Sequence, residues 1–197
     1  MISIHDYKEN SSVPAVTANL KTPIDELFDR ILAQGRRAIS IFEVKDRHSE
    51  AIVPEGINAK KLSLLKEAIH KNNLQNIPDF VKLLSTSPAD GYGLIMEMHQ
   101  SNRMPDTIIL TRDSLAIGVL RAIHELGLKI PDDVAIISFD NLAFSPFLTP
   151  SLSSVDLNRQ LMGELAFRTL VEHIDCGTPL TSRSVEAKLI LRESFSS

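Results

Sequence analysis

The sequence predicts an α/β protein built on a doubly wound parallel sheet. Two observations carry this expectation. Helix, loop and strand alternate along the chain at roughly 25–35 residues per unit. The strand runs AISIFEV (38–44) and VAIISF (134–139) are almost continuously apolar, as in strands covered on both faces. The composition agrees: 197 residues, 43% hydrophobic and 23% charged, supply the core of one ordinary domain, or of one lobe of a two-lobed protein with part of the other.

The elements follow in order. MISIH opens the chain as a short alternating extended segment, and Val13–Leu20 reads as a second one after a polar break. Thr22 is expected to cap a helix with Pro23 at its first position. Ile24, Leu27, Phe28, Ile31 and Leu32 recur at helical spacing, and Gly35 closes the helix. After the strand 38–44, Lys45–Asn58 reads as a loop, followed by a helix over 59–73 with Leu62, Leu65, Ala68 and Ile69 on one face. Phe80–Leu84 is expected as a strand, Ala89–Ser101 as a helix and Thr107–Leu110 as a strand. Asp113 is expected to cap a helix over 114–126 that ends at Gly127. Beyond the strand 134–139, residues 141–156 read as a long connection. A helix over Leu157–Ile174, a Cys-Gly-Thr-Pro turn and an edge strand over Val185–Arg192 complete the chain.

Several function classes are disfavoured. The net charge is −4, from 21 Lys+Arg and 25 Asp+Glu, so the basic footprint of a domain that grips DNA unaided is missing. No apolar run is long enough for a membrane span. The N-terminus lacks the basic-then-apolar pattern of a secretion signal, and the expectation is a cytoplasmic protein. A lone cysteine, Cys176, excludes an internal disulfide framework and reads as an incidental thiol. No two of the six histidines lie three or four residues apart, so no helical pair of imidazole ligands exists and no metal is expected. The sequence carries no GxSxG elbow, Walker loop or GxGxxG, and neither an enzyme nor a cofactor is expected.

A site for a small polar ligand has better support. In an open parallel sheet, ligands bind beyond the carboxyl ends of the strands. Ser85-Thr86-Ser87, Thr111-Arg112-Asp113 and Asp140-Asn141 each follow a predicted strand. Carboxylate and guanidinium groups each make two parallel hydrogen bonds, which suits adjacent hydroxyls of a sugar. Each residue also has a plainer reading. Asp113 serves as a helix cap, Asp140 as a turn residue, and Arg112 as a side chain in solvent.

The stretch TRDSLAIGVLRAIHELGLKIPDDVAIISFDN (Thr111–Asn141) resembles the sensor domain of the LacI/GalR family of transcription regulators. TPSLSSVDLNRQLMGELA (Thr149–Ala166) is similar to that family's P-x-L-T-T-V hinge and following helix, and LILRESF to its closing strand. AQGRRAISIF (Ala33–Phe42) is similar to its GHxxI strand entry. The resemblance implies a periplasmic-binding-protein-like clamp, of which this chain holds the second lobe and remnants of the first. The implied division is 1–20 for the remnant and crossover, 21–155 for the ligand-sensing lobe, 156–180 for a helix returning to the first lobe, and 181–197 for an edge strand. It also implies an N-terminally truncated member or isolated sensor module without its own helix-turn-helix, working as a homodimer and touching DNA only through that absent head.

The effector implied is a sugar or sugar phosphate, bound by Asp140, Arg112, Lys61, Thr86 and His5. Only Asp140 matches the family pattern unaltered. Arg112 stands where the family has Asn, Lys61 where it often has Arg, and His5 or Asp6 where it has an acidic residue. Lys lacks the planar fork of Arg. These departures leave a changed effector, a lost one and an ordinary monosaccharide all open. A stand-alone sugar-binding module and a flavodoxin-like enzyme are the alternative readings. The apolar rows Leu157, Leu161, Leu165 and Met162, Ala166, Leu170, Ile174 on the helix after 157 predict self-association or poor solubility where no first lobe covers them.

Overall fold

The computed structural model describes residues 1–4, 12–44, 56–85 and 87–195. In chain order the elements are β1 (Ser3–Ile4), β2 (Ala15–Asn19), α1 (Lys21–Ala33), β3 (Ala38–Val44), α2 (Gly56–Lys71), β4 (Gln75–Leu84) and α3 (Pro88–Gln100). They continue with β5 (Thr107–Leu110), α4 (Ala116–Glu125), β6 (Ala135–Phe139), β7 (Ser153–Asp156), α5 (Arg159–Cys176), β8 (Arg183–Glu186) and β9 (Lys188–Ile190).

Six strands form the main sheet in the order β4-β3-β5-β6-β7-β9. All its pairs are parallel except β7 with β9. The doubly wound α/β class expected from the sequence is therefore the one observed. The chain runs outward from β3 to β4, then crosses back to lay β5 on the other side of β3. The direction of winding thus reverses between β3 and β5, and at such a reversal the strand ends leave a crevice.

Strand alternation divides the core. Ile39, Ile41, Ile109, Ile137 and Phe139 face one layer with Leu27 and Phe28 of α1 and Leu65 of α2. Phe42, Val44, Ile108, Leu110 and Ile136 face the other, with Ile95 of α3 and Val119 of α4. A separate parallel sheet, β1-β2-β8, carries α5, whose Met162 and Ala166 pack in the same cluster as Val16, Ala18 and Val185.

Several sequence expectations need correction. Thr22 does not cap α1; the helix starts at Lys21, and the Asn19 side chain accepts from the Lys21 N–H at 3.1 Å. The start of α2 lies inside the stretch read as a loop, and β4 begins at Gln75, five residues before the apolar run that marked it. The long connection 141–156 hides β7, whose Ser153 and Ser154 are buried yet polar. Their hydroxyls are satisfied by the Arg192 carbonyl at 3.1 Å and Asp113 Oδ1 at 2.9 Å. The expected strand Val185–Arg192 is two strands on two different sheets, β8 and β9. On α5 the buried row is Met162, Ala166 and Thr169, while Leu161 and Ile174 of the expected apolar face lie in solvent.

Candidate functional site

The carboxyl ends of β3, β5 and β6 bring together Glu43, Thr111 with Arg112, and Asp140 with Asn141. Across them lies α2, whose Lys61 reaches down to the sheet. Lys61 Nζ donates to Asp140 Oδ1 at 3.0 Å and to the Thr111 carbonyl at 3.0 Å. It also sits 5.2 Å from the centre of the Phe139 ring, within cation–π range. From the start of α5, Arg159 Nη2 lies 2.9 Å from the same Asp140 oxygen and donates to the Asp140 carbonyl at 3.3 Å. One carboxylate oxygen thus ties β6 to two helices.

Lys61, Arg112, Asp140 and Arg159 line an open concavity of about 180 Å³, with Asn58 one helical turn before Lys61. Ile57 and Leu157 give it apolar walls. The volume lies below the 300–1,000 Å³ usual for drug-sized ligands, so the concavity suits a small guest or half of a clamp. A larger but less polar hollow of about 320 Å³ between α4 and Leu148 carries no such convergence of charged groups.

Burial sets the electrostatics. Lys61 is 2% exposed and its ammonium is held below its ordinary pKa by burial, with Asp140 opposing that shift. Glu43, fully buried behind Lys61, is pushed up to about 7 by burial, against the Thr111 hydroxyl, the Lys61 charge, the Val44 N–H and the Arg112 charge. Its Oε1 accepts from the Val44 N–H at 2.9 Å and lies 3.2 Å from the Thr111 hydroxyl. Its Oε2 and the buried Asn58 Oδ1 have no partner among the described residues.

The backbone at Asp140 is unusual. Asp140 has φ 108° and Asn141 φ 48°, conformations that non-glycine residues rarely hold without support. The support is visible. The Asp140 N–H donates to the Val155 carbonyl at 3.0 Å, and the Asn141 N–H to the Ser154 hydroxyl at 3.0 Å. The Asn141 side chain donates to Asp156 at 3.1 Å and accepts from Arg192 Nη2 at 2.8 Å.

Of the residues singled out in the sequence, Lys61, Arg112 and Asp140 converge here, whereas Thr86 and His5 lie outside the described residues. Asp113 needs correction. It neither lines the concavity nor caps its helix. It opens a 3-10 turn before α4, and its carboxylate accepts from the Leu142 N–H at 2.7 Å and the Ser145 hydroxyl at 2.5 Å. It therefore braces the loop after Asp140. His173 and Cys176 do share a three-residue spacing at the end of α5. His173 Nδ1 is 2.7 Å from the Thr178 carbonyl, and no group of three metal-ligating side chains occurs among the described residues. Among the described residues, no helix is long and apolar enough to cross a membrane.

Three contributors were missed: Glu43, Asn58 and Arg159. Glu43 was detectable as the single charge in an apolar strand, and Asn58 lay in a stretch read as a loop. Arg159 meets Asp140 only through folding, and no local spacing announces it.

This architecture and the concavity at its winding reversal define a class of ligand-binding α/β domain. Residues 29–195 match the periplasmic binding protein-like domain family, and the chain belongs to it. Among curated proteins it is similar to transcriptional repressors. It is 26% identical over 157 residues to the HTH-type transcriptional repressor PurR of Histophilus somni (strain 129Pt), covering 77% of this chain and 47% of that protein. It is 44% identical over 71 residues to the lactose operon repressor of Rhizobium radiobacter, covering 36% of this chain and 63% of that one. The chain thus spans about half the length of the repressor PurR it matches. In three dimensions it is similar to a LacI family regulator from Arthrobacter sp. FB24 solved in complex with lactose. The TM-score is 0.82 at 19% identity, over 99% of this chain and 71% of that one.

Proposed function

We propose that this chain is the effector-sensing part of a LacI/GalR-type regulator and that its effector is a small polyhydroxylated molecule held over Asp140. The observation that carries the reading is the convergence of Lys61, Arg112, Arg159 and Asp140 at the strand ends where the winding reverses. Asp140 lines the concavity with its side chain 13% exposed, and its ion pairs with Lys61 and Arg159 both use Oδ1, so its second oxygen is proposed to accept from a ligand hydroxyl. Relatives named as repressors, and a similar fold solved with lactose, support a sugar-like guest.

In mechanism, a guest over Asp140 draws the β1-β2-β8 sheet and α5, taken as part of a facing lobe, toward the main sheet. Arg159 lies at the start of α5 and already touches Asp140, so it reads occupancy directly. The closed geometry then shifts the spacing of a homodimer, and with it the operator affinity of a helix-turn-helix head. Thr86 remains a proposed contact from its place in the sequence after a strand, and His5 from the family resemblance.

The test is a thermal-shift and calorimetric screen of the full chain against sugars and sugar phosphates, with Asp140→Asn alongside. Binding by the unaltered chain, lost or weakened about tenfold or more in Asp140→Asn and without turnover, is the expected result. Equal binding by both proteins overturns the proposed site, and product formation overturns the sensing role.

A further inference from the structure

The charges around the concavity are not balanced in the way a neutral sugar requires. Lys61, Arg112 and Arg159 line it against one carboxylate, Asp140. Asp140 Oδ1 already receives both Lys61 and Arg159. The Arg112 guanidinium is half-buried and makes no hydrogen bond or ion pair with any described side chain. Its charged neighbours are Lys61, which it repels, and Glu43, which it attracts. Glu43 gives that attraction only in part, because burial keeps its carboxyl near half-protonated at neutral pH. A second group sits close by: Asn58 Oδ1, on the same wall as Lys61, is buried without a donor among the described residues.

Hydroxyl groups would satisfy Asn58 but not Arg112. A neutral sugar offers a guanidinium only weak, single acceptors, whereas an oxyanion accepts two parallel N–H bonds and neutralises the charge. We infer, on the basis of the sensing role proposed above, that the guest is a polyhydroxylated molecule bearing an oxyanion. Arg112 receives the oxyanion in a bidentate pair, while Asp140 and Asn58 take hydroxyl groups. Phosphate and carboxylate share this chemistry. The exposed rim at Arg159 adds long-range attraction for either.

The experiment uses the full chain at a pH below about 7, where Glu43 is mostly protonated. Calorimetry compares matched pairs: glucose with glucose 6-phosphate, and galactose with galacturonate. The charged member of at least one pair is expected to bind roughly tenfold or more tightly than its neutral partner. Arg112→Asn is expected to remove that advantage, lowering the affinity for the charged member at least tenfold more than that for the neutral one. The pair that shows the effect tells phosphate from carboxylate. Inorganic phosphate, on the order of 10 mM, should also raise the melting temperature of the unaltered chain and not that of Arg112→Asn. Neutral sugars that bind as well as their charged partners overturn the oxyanion and leave the sensing role standing. A panel in which nothing binds, neutral or charged, overturns both.

Discussion

Glu43 is the residue whose chemistry is most altered by the fold. In the unfolded chain its carboxyl ionises near 4.5, and burial moves this to about 7. Between those values the folded chain keeps a proton that the unfolded chain has released. Stability therefore falls as pH rises through that window, and this group contributes no slope below or above it. At about 1.4 kcal/mol per pKa unit the full effect is about 3 kcal/mol. Glu43→Gln should abolish the slope and make the protein more stable than the parent at about pH 8, as read by urea unfolding at several pH values. Identical pH dependence in the two proteins would show that Glu43 is not the source. Asp140 raises a different question. Asp140→Ala strips Lys61 of its carboxylate in a site only 2% exposed and should cost about 3 kcal/mol. Adding Lys61→Met should restore most of that loss. Asp140→Gly removes the same charge but accepts φ 108° freely, so it should be about 1 kcal/mol less harmful than Asp140→Ala. Legibility at this scale was uneven for a physical reason. Asp140 and Arg112 could be placed because they follow apolar strands in a parallel sheet. The partners of Asp140 come from α2 and α5, 79 and 19 residues away, and no local pattern encodes such meetings.

Elements show the same division. Strands β3, β5 and β6 could be read because burial on both faces makes them apolar throughout. Strand β7 could not, because the closing segment at Arg192 and Ser194 satisfies Ser153 and Asp113 satisfies Ser154, and polar side chains can then be buried there. The Ser194 hydroxyl donates to the Ile136 carbonyl at 2.7 Å and accepts from the Ser153 N–H at 2.8 Å. Strand β4 carries Pro78 within its span and a register irregularity against β3, both of which blur its period. Helices α3 and α4 make a sharper prediction. A methyl group added at Gly118 would stand 1.7 Å from the Pro88 carbonyl oxygen and 3.0 Å from the Tyr92 nitrogen. Backbone is the obstacle, so the helices must separate. Gly118→Ala should destabilise the protein by about 3 kcal/mol or more, despite its better helix propensity, as measured by denaturant unfolding. Gly93→Ala, on the open side of α3, is the control and should be neutral or stabilising.

At the scale of the whole molecule, the outward row of α5 stands out. Phe167 and Ile174 are each 71% exposed, with Val171 between them on the same stripe. These side chains are already in water, so Phe167→Ser with Ile174→Lys should leave the melting temperature unchanged while raising solubility and suppressing concentration-dependent association in sedimentation. A large drop in melting temperature would mean that the row is covered in solution. The opposite edge of the main sheet has another consequence. Arg192 grips the Asn141 side chain and the Leu152 carbonyl, so the tail of the chain is fastened to the very corner that presents Asp140. Nothing can shift that corner without tugging the tail, and a disturbance of the tail reaches the corner just as directly. The segment at Arg192 thus serves as a rein on the mouth of the concavity.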